Sequence, residues 1–372
     1  EDKEGNPKKV NLTRIHMEED SGKSIHDQDP FNTLIDLNRA GVPLLEIVSE
    51  PEMKNGEEAY SYLSEVRKLV RYLDICDGNM EEGSLRCDAN ISIRLRGDKE
   101  LGTKVEVKNM NSIRNVQRAI EYEIERQIEC TENKEEIFHE TRSFEAATGK
   151  TFSMRSKEDA NDYRFFPEPD MQPIFIRKNE IEEVRKNMPK LPAELLKKYT
   201  EELGLSEYDA KIITDSKSIA LYFEELISQT KNYKGAANWL MGAIKGHLNE
   251  LGISISQFPI SASKIAELID LVDDNKVSNS VASQKIYQLL LQNPEKSPLK
   301  IAQENNWIQE SDSGALGQFI IATLAKYPEK VAEYKNGKKG LLGLFMGEVM
   351  KMSQGKADPK LTSQMLKKEL EG

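Results

Sequence analysis

Several things are scarce in this sequence. Three cysteines, Cys76, Cys87 and Cys130, occur in 372 residues, with neither a C-x-x-C pair nor an even number. That pattern excludes an all-cysteine zinc site within the chain, gives no disulfide framework and fits a reducing compartment. The three read as ordinary buried thiols. There is no nucleophile-elbow serine and no Cys/His pairing, which argues against a free-standing amidase. The phosphate-loop spacing G-x-x-x-x-G-K-[ST] is missing as well, because no glycine lies five positions before Gly22. No apolar run approaches the roughly 20 residues needed to cross a bilayer, and no leader with a small-residue cleavage site is visible. The expectation is a cytoplasmic protein with no membrane partner.

Positive charge is in deficit overall, with a net charge of -11. This argues against a protein that coats nucleic acid. The deficit is uneven, however: between Ser313 and Gly372 ten lysines face six acids, so any RNA contact is expected at the C-terminus.

The length suggests two or three domains. Glu1 opens the chain, and "EDKEGNPKKVNLTRIH" reads as a turn feeding a strand in progress, so the chain is expected to begin inside a longer protein. Up to about residue 190 strands and helices mix. "VPLLEIVSEP" is a β-rich run closed by Pro51. "EEAYSYLSEVRKLVRYL" sets Ala59, Leu63, Val66, Leu69, Val70 and Leu73 on one helical stripe. "CDANISIRLRG" alternates, with Ala89, Ile91, Ile93 and Leu95 on one side and Asp88, Asn90, Ser92 and Arg94 on the other. "TKVEVKN" repeats the scheme, with Val105 and Val107 inward and Lys104, Glu106 and Lys108 outward, and the two runs read as a hairpin with one polar face. A second helix carries Ile113, Val116, Ile120, Ile124 and Ile128. "FFPEPDMQPIF" reads as a proline-rich turn before a short strand, and "NMPKLPAE" as a linker whose Pro192 starts a helix.

Beyond the linker almost everything is helical, with stops at Gly204 and Gly252, runs at 262–273 and 278–291, and four short helical stretches at the end. The expected architecture is α+β: a mixed or antiparallel β cradle body at 1–190, an all-α helical domain at 191–305 and a small basic helical tail domain at 306–372.

The stretch "RIHMEEDSGKSIH" concentrates candidate chemistry. A hard cation such as Mg²⁺ needs only one or two carboxylates when substrate phosphates and waters complete its shell. Glu18, Glu19 and Asp20 could supply one ligand, and Glu46 and Glu50 of the following strand another. Lys23 is a possible phosphate partner. A solvated acidic turn is the plainer alternative. The hairpin's polar face likewise reads either as a solvent-facing sheet or as a floor for charged substrate groups. His26, His139 and His247 are isolated, and Trp239 reads as helix core.

Seven blocks carry a resemblance: "HMEEDSGKS", "DLNRAGVPLLEIVSEP", "MEEGSLRCDANIS", "TKVEVKNMNS", "DYRFFPEPD", "NWLMG" and "YKNGKKGLLGLFMGEVMKMSQGKADP". In this order they resemble the B subunit of the bacterial aspartyl/glutamyl-tRNA amidotransferase. The resemblance implies a heterotrimer completed by an amidase (glutaminase), the A subunit, together with a small C subunit. The amidase releases ammonia; the B subunit uses ATP and Mg²⁺ to phosphorylate the side-chain carboxylate of a misacylated tRNA, which ammonia then attacks. It also implies metal carboxylates at Glu19 and Glu46. Strand parity alone pairs Glu18 with His16, so this assignment requires a bulge or strand end before Glu19. The family's N-terminal histidine ligand has no counterpart here, which leaves a non-catalytic tRNA-binding adaptor as the alternative. Further implied positions are Arg86, Asp88, Asn90, Lys104, Glu106 and Lys108 at the ammonia outlet or substrate carboxylate, with Asp88 and a lysine partner as a gate. Lys23 and Ser84 are the nucleotide candidates. In "DYRFFPEPD" the prolines, Phe165 and Phe166 read as structural, with Arg164 near phosphate. In the tail, Tyr334, Lys335, Asn336, Lys338, Lys339, Lys351 and Lys356 are the tRNA candidates, grouped around a basic turn that opens a helix bearing Leu342, Phe345, Met346 and Val349.

Overall fold

The structure, a computed structural model, describes residues 6–26, 28–156, 175–309, 313–353 and 357–371. The chain divides into two compact units, Glu1–Pro189 and Lys190–Gly372.

The first unit opens with an antiparallel pair, β1 (Leu12–Glu19) and β4 (Pro43–Ser49), in which His16 stands across from Glu46 and Glu19 across from Pro43. Between them in sequence, β2 (Lys23–Ile25) pairs with β3 (Leu34–Asp36). Helix α1 (Gly56–Tyr72) starts where the Asn55 side chain accepts the Glu58 amide, and α2 (Ile113–Glu132) where Ser112 accepts that of Asn115. The main sheet has the order β5 (Ala89–Ile91), β6 (Val105–Lys108), β7 (Glu140–Glu145), β8 (Lys150–Ser156). Its pairings are antiparallel, parallel, antiparallel, so the sheet is mixed, and the parallel β6–β7 pair requires the crossover through α2.

Alternation decides the sheet's two faces. Ala89, Ile91, Val107 and Phe144 bury one side against Met110, Val116 and Ala119, and Val105 is buried too. Burial of each large apolar side chain contributes about 1.5–3 kcal/mol. The alternation is shorter than the sequence suggests: β5 ends at Ile91, and Leu95, expected inward, is 71% exposed. The α2 stripe also departs from the isoleucine reading. Ile128 is exposed, and the buried face includes Glu123 and Gln127 instead. Glu123 is fully enclosed because Arg126, Arg142, Gln127 and Thr151 satisfy it: Arg126 Nη2 lies at 2.5 Å, Gln127 Nε2 at 3.0 Å and Thr151 Oγ1 at 2.9 Å. On the α1 stripe Leu69 is exposed, while Tyr72 is buried.

The second unit is helical. Pro192 takes the first turn of Pro192–Lys197, and that run stops at Gly204 with φ +67°. The helix through Tyr233–Trp239 and Lys245–Leu251 stops at Gly252, φ +64°, which a β-carbon would strain. A wide turn at Leu240–Ile244 interrupts it, and the Ala243 carbonyl there accepts Tyr287 Oη at 3.1 Å. Trp239 packs beside Tyr287, and His247 beside Phe258. At the C-terminal end Ser313–Lys326, Pro328–Lys335, Leu342–Met352 and Pro359–Glu371 enclose Leu316, Ile320, Tyr334, Phe345, Leu366 and Leu370.

The architecture is α+β with a helical C-terminal region, as the sequence indicates. Among the described residues no helix is long and apolar enough to cross a membrane. Arg164, Phe165, Phe166 and Lys356 lie outside the described residues. The strand expected after the proline-rich turn falls mostly outside them too; Phe175 and Ile176 are exposed and belong to no strand.

Candidate functional site

The polar face of the main sheet gathers the hairpin candidates. Asn90 stands across from Glu106, and Lys108 follows two residues later on the same side. Lys108 Nζ donates to Asp88 Oδ2 at 2.5 Å and lies 3.3 Å from Glu106 Oε1. Glu106 Oε2 accepts Thr141 Oγ1 at 2.9 Å, which anchors it to β7. Burial pulls the Lys108 ammonium down, but Asp88 and Glu106 more than offset this and hold it above its ordinary value. Asn109 follows in the left-handed region at φ +68°, and its Nδ2 donates to Ser143 Oγ at 3.3 Å. Asparagine tolerates that backbone better than most residues, so Lys108 ends its strand on a turn pinned to β7. Lys104 precedes β6 and is exposed.

Arg86 belongs to a second cluster. Asp20 Oδ2 accepts both Arg39 Nε at 2.7 Å and Arg86 Nη2 at 3.1 Å, and Arg39 Nη1 donates to the Gly83 carbonyl at 3.0 Å. The Arg39 hydrogen bond, working against burial and helped by Arg86, holds the Asp20 carboxyl below its usual range. Ser84 hydrogen-bonds Asp77, and Lys23 is exposed on β2. Burial pushes the neighbouring Cys87 thiol up to about 12, with Asp88 adding to the effect, so it is a poor nucleophile.

The implied metal pair, Glu19 and Glu46, sits on the first ribbon. β1 runs through Glu19, and its irregularity falls at Leu12/Arg14 rather than before Glu19. Period-two parity therefore puts Glu46 on one face of the ribbon with Arg14, His16 and Glu18, and Glu19 on the other with Ile15, Met17 and Leu45. Glu46 Oε2 is occupied by Arg14 Nη2 at 2.9 Å. Among the described residues no group of three or more His, Cys, Asp or Glu side chains is assembled to hold a metal ion. Glu19 and Glu46 thus fall on opposite faces of the paired strands.

In the tail, Lys335, Asn336, Lys338, Lys339 and Lys351 are exposed. Lys338 pairs with Glu333 at 3.0 Å and Lys339 with Glu371 at 3.4 Å. Tyr334 is corrected: it is 2% exposed and packs edge-on against Phe345, with Lys339 Nζ 4.4 Å over its ring. Its ring seats a lysine and offers no open face for stacking on a base.

Sequence reasoning missed Arg39, Gly83 and Thr141, and it offered Asp20 only as one of three carboxylates that could supply a cation ligand. No periodicity could have found them, because their hydrogen bonds join segments 19 to 66 residues apart.

Residues 1–182 match the family model described as the GatB/GatE catalytic domain, and residues 221–370 match the GatB domain. A curated relative from Acaryochloris marina, named as the B subunit of aspartyl/glutamyl-tRNA(Asn/Gln) amidotransferase, is 47% identical over 99% of this chain and 75% of its own length. Relatives of the same name come from Gloeothece citriformis, 47% identical over 100% of this chain and 76% of that protein, and from Alkalilimnicola ehrlichii, 44% identical over 99% and 77%.

Proposed function

Because this chain belongs to the B subunit family of the aspartyl/glutamyl-tRNA(Asn/Gln) amidotransferases, we propose that it converts the side-chain carboxylate of Glu-tRNA(Gln) or Asp-tRNA(Asn) into an amide. It does so in a heterotrimer with the amidase, which delivers ammonia, and the small third subunit. A carboxylate is a poor acylating agent because its leaving group would be oxide, so the acid is first phosphorylated by ATP. Ammonia then forms the C–N bond as the C–O bond to phosphate breaks, inorganic phosphate leaves, and one proton is shed from nitrogen.

The observation that carries this reading is the Asp88–Lys108–Glu106 group on the polar sheet face. Lys108 offers a fixed cation to the acyl or phosphoryl oxygens, and Asp88, once released from Lys108, can take the proton from the attacking nitrogen. A bound Mg²⁺ would neutralise phosphoryl charge. Glu19 and Glu46 are not assigned to it jointly, and no step above depends on it. The exposed lysines of the tail favour contact with the phosphates of tRNA.

The opposite facing of Glu19 and Glu46 on the ribbon favours one rival, a non-catalytic tRNA-binding adaptor. The test is amide formation by the assembled enzyme carrying Asp88→Asn or Lys108→Met. A fall in kcat of about 100-fold or more is expected. Full activity in both variants supports the adaptor instead.

A further inference from the structure

The Asp20 cluster is not absorbed by the chemistry above, and it joins three stretches of chain. The backbone of Asp20 bonds twice across the end of the ribbon, its N–H to the Val42 carbonyl at 2.8 Å and its carbonyl to the Gly41 N–H at 2.9 Å. Its Oδ1 accepts the Ser21 amide at 3.1 Å, while Oδ2 takes both guanidinium groups. The Asp20 side chain is 13% exposed, against 60% for Arg86 and 40% for Arg39. The carboxylate is thus the enclosed partner on which two more open cations converge. Arg39 continues the link to the Gly83 carbonyl. Gly83 has φ +80°, and a Cβ there would stand 3.0 Å from Arg39 Nη1 and 3.8 Å from Arg86 Nε. A side chain at Gly83 would therefore crowd Arg39, while Arg86 stands at ordinary contact distance. Arg86 lies two residues before Asp88, the partner of Lys108.

We propose that Asp20 is a positioning residue for amidation: it acts through Arg86, fixing the segment that carries Asp88 relative to the end of β1. This rests on the proposed reading of the Asp88–Lys108 face. Asp20 touches no reacting atom; its role is to keep one guanidinium from sampling other rotamers, and misplacement at this scale costs rate rather than binding.

The test is a double-mutant cycle in the full chain assembled with its partner subunits, using Asp20→Asn, Arg86→Gln and the pair, with kcat and KM for acylated tRNA measured separately. The expected result is a kcat loss of about 10–100-fold for Asp20→Asn with KM within about twofold, and a double variant no worse than Arg86→Gln alone. Losses that multiply, or a silent Asp20→Asn beside a damaging Arg86→Gln, overturn this inference and leave the site reading standing. A silent Arg86→Gln likewise overturns this inference, while the site reading is decided separately by Asp88→Asn and Lys108→Met. Should Asp20→Asn fail to assemble, Arg39→Gln is cycled against Arg86→Gln in its place, since it loosens the same carboxylate without altering β1, and the same outcomes decide.

Discussion

Lys108 and Asp88 are joined at 2.5 Å across the open face of the main sheet, with Glu106 beside them. The Lys108 ammonium is held above its ordinary value, so the pair contributes stability fully below the unfolded lysine value of about 10.4 and loses it as pH rises through the higher folded one. As pH rises beyond about 10.4, the unfolding temperature of the native chain should fall more steeply than that of Lys108→Met. Equal slopes would show that the pair adds nothing to folding.

Glu123 is enclosed with Arg126 and Arg142 as its cations. Removing one member of a buried charge group strands the others, so Glu123→Ala should destabilise the first unit by about 3–5 kcal/mol. Hydrogen exchange by mass spectrometry reads this directly: amides of α2 should lose protection, while those of the Ala262–Asp273 helix in the second unit keep theirs. Unchanged α2 protection would refute the account.

Phe345 is fully buried among Leu316, Ile320, Tyr334 and Leu366. Phe345→Ala leaves a cavity that should cost about 3–5 kcal/mol. Exchange should rise in peptides from 313–326 and 359–371 together, because those helices share the cavity wall. A rise confined to 342–352 would mean the core is not cooperative.

For tRNA, the double variant Lys335→Ala/Lys351→Ala should flatten the salt dependence of binding by up to about 1–2 in log–log slope, roughly one unit for each phosphate no longer neutralised. Tyr334→Phe should leave affinity unchanged, because that ring is internal. A slope unaltered by removing both lysines would take the RNA surface away from this end.

Where period and chemistry agree, the sequence was readable. Val105 and Val107 are fully buried, Asp88 has the lysine partner expected of it, and the helix stops at Gly204 and Gly252 fall where glycine permits positive φ. On α2 the apolar period misled, since Glu123 and Gln127 also find partners on other elements, Thr151 and the Ile91 carbonyl, that no local pattern announces. The same limit applied to Glu19: its facing follows from where the register irregularity sits, at Leu12/Arg14, and that is a property of the paired strands. Tyr334 looked like part of a basic surface because its neighbours in sequence are charged, yet its helix turns it toward Phe345.

A ribbon of only two strands has little to stop it sliding, and the tight return at Arg39–Val42, fastened to Asp20, acts as its end-stop. Adding a single residue to that return would let the strands re-pair one step out of phase, exchanging every inward and outward side chain along β4. Loop length here is therefore itself a chemical specification: it decides whether Glu46 keeps company with His16 or with Met17.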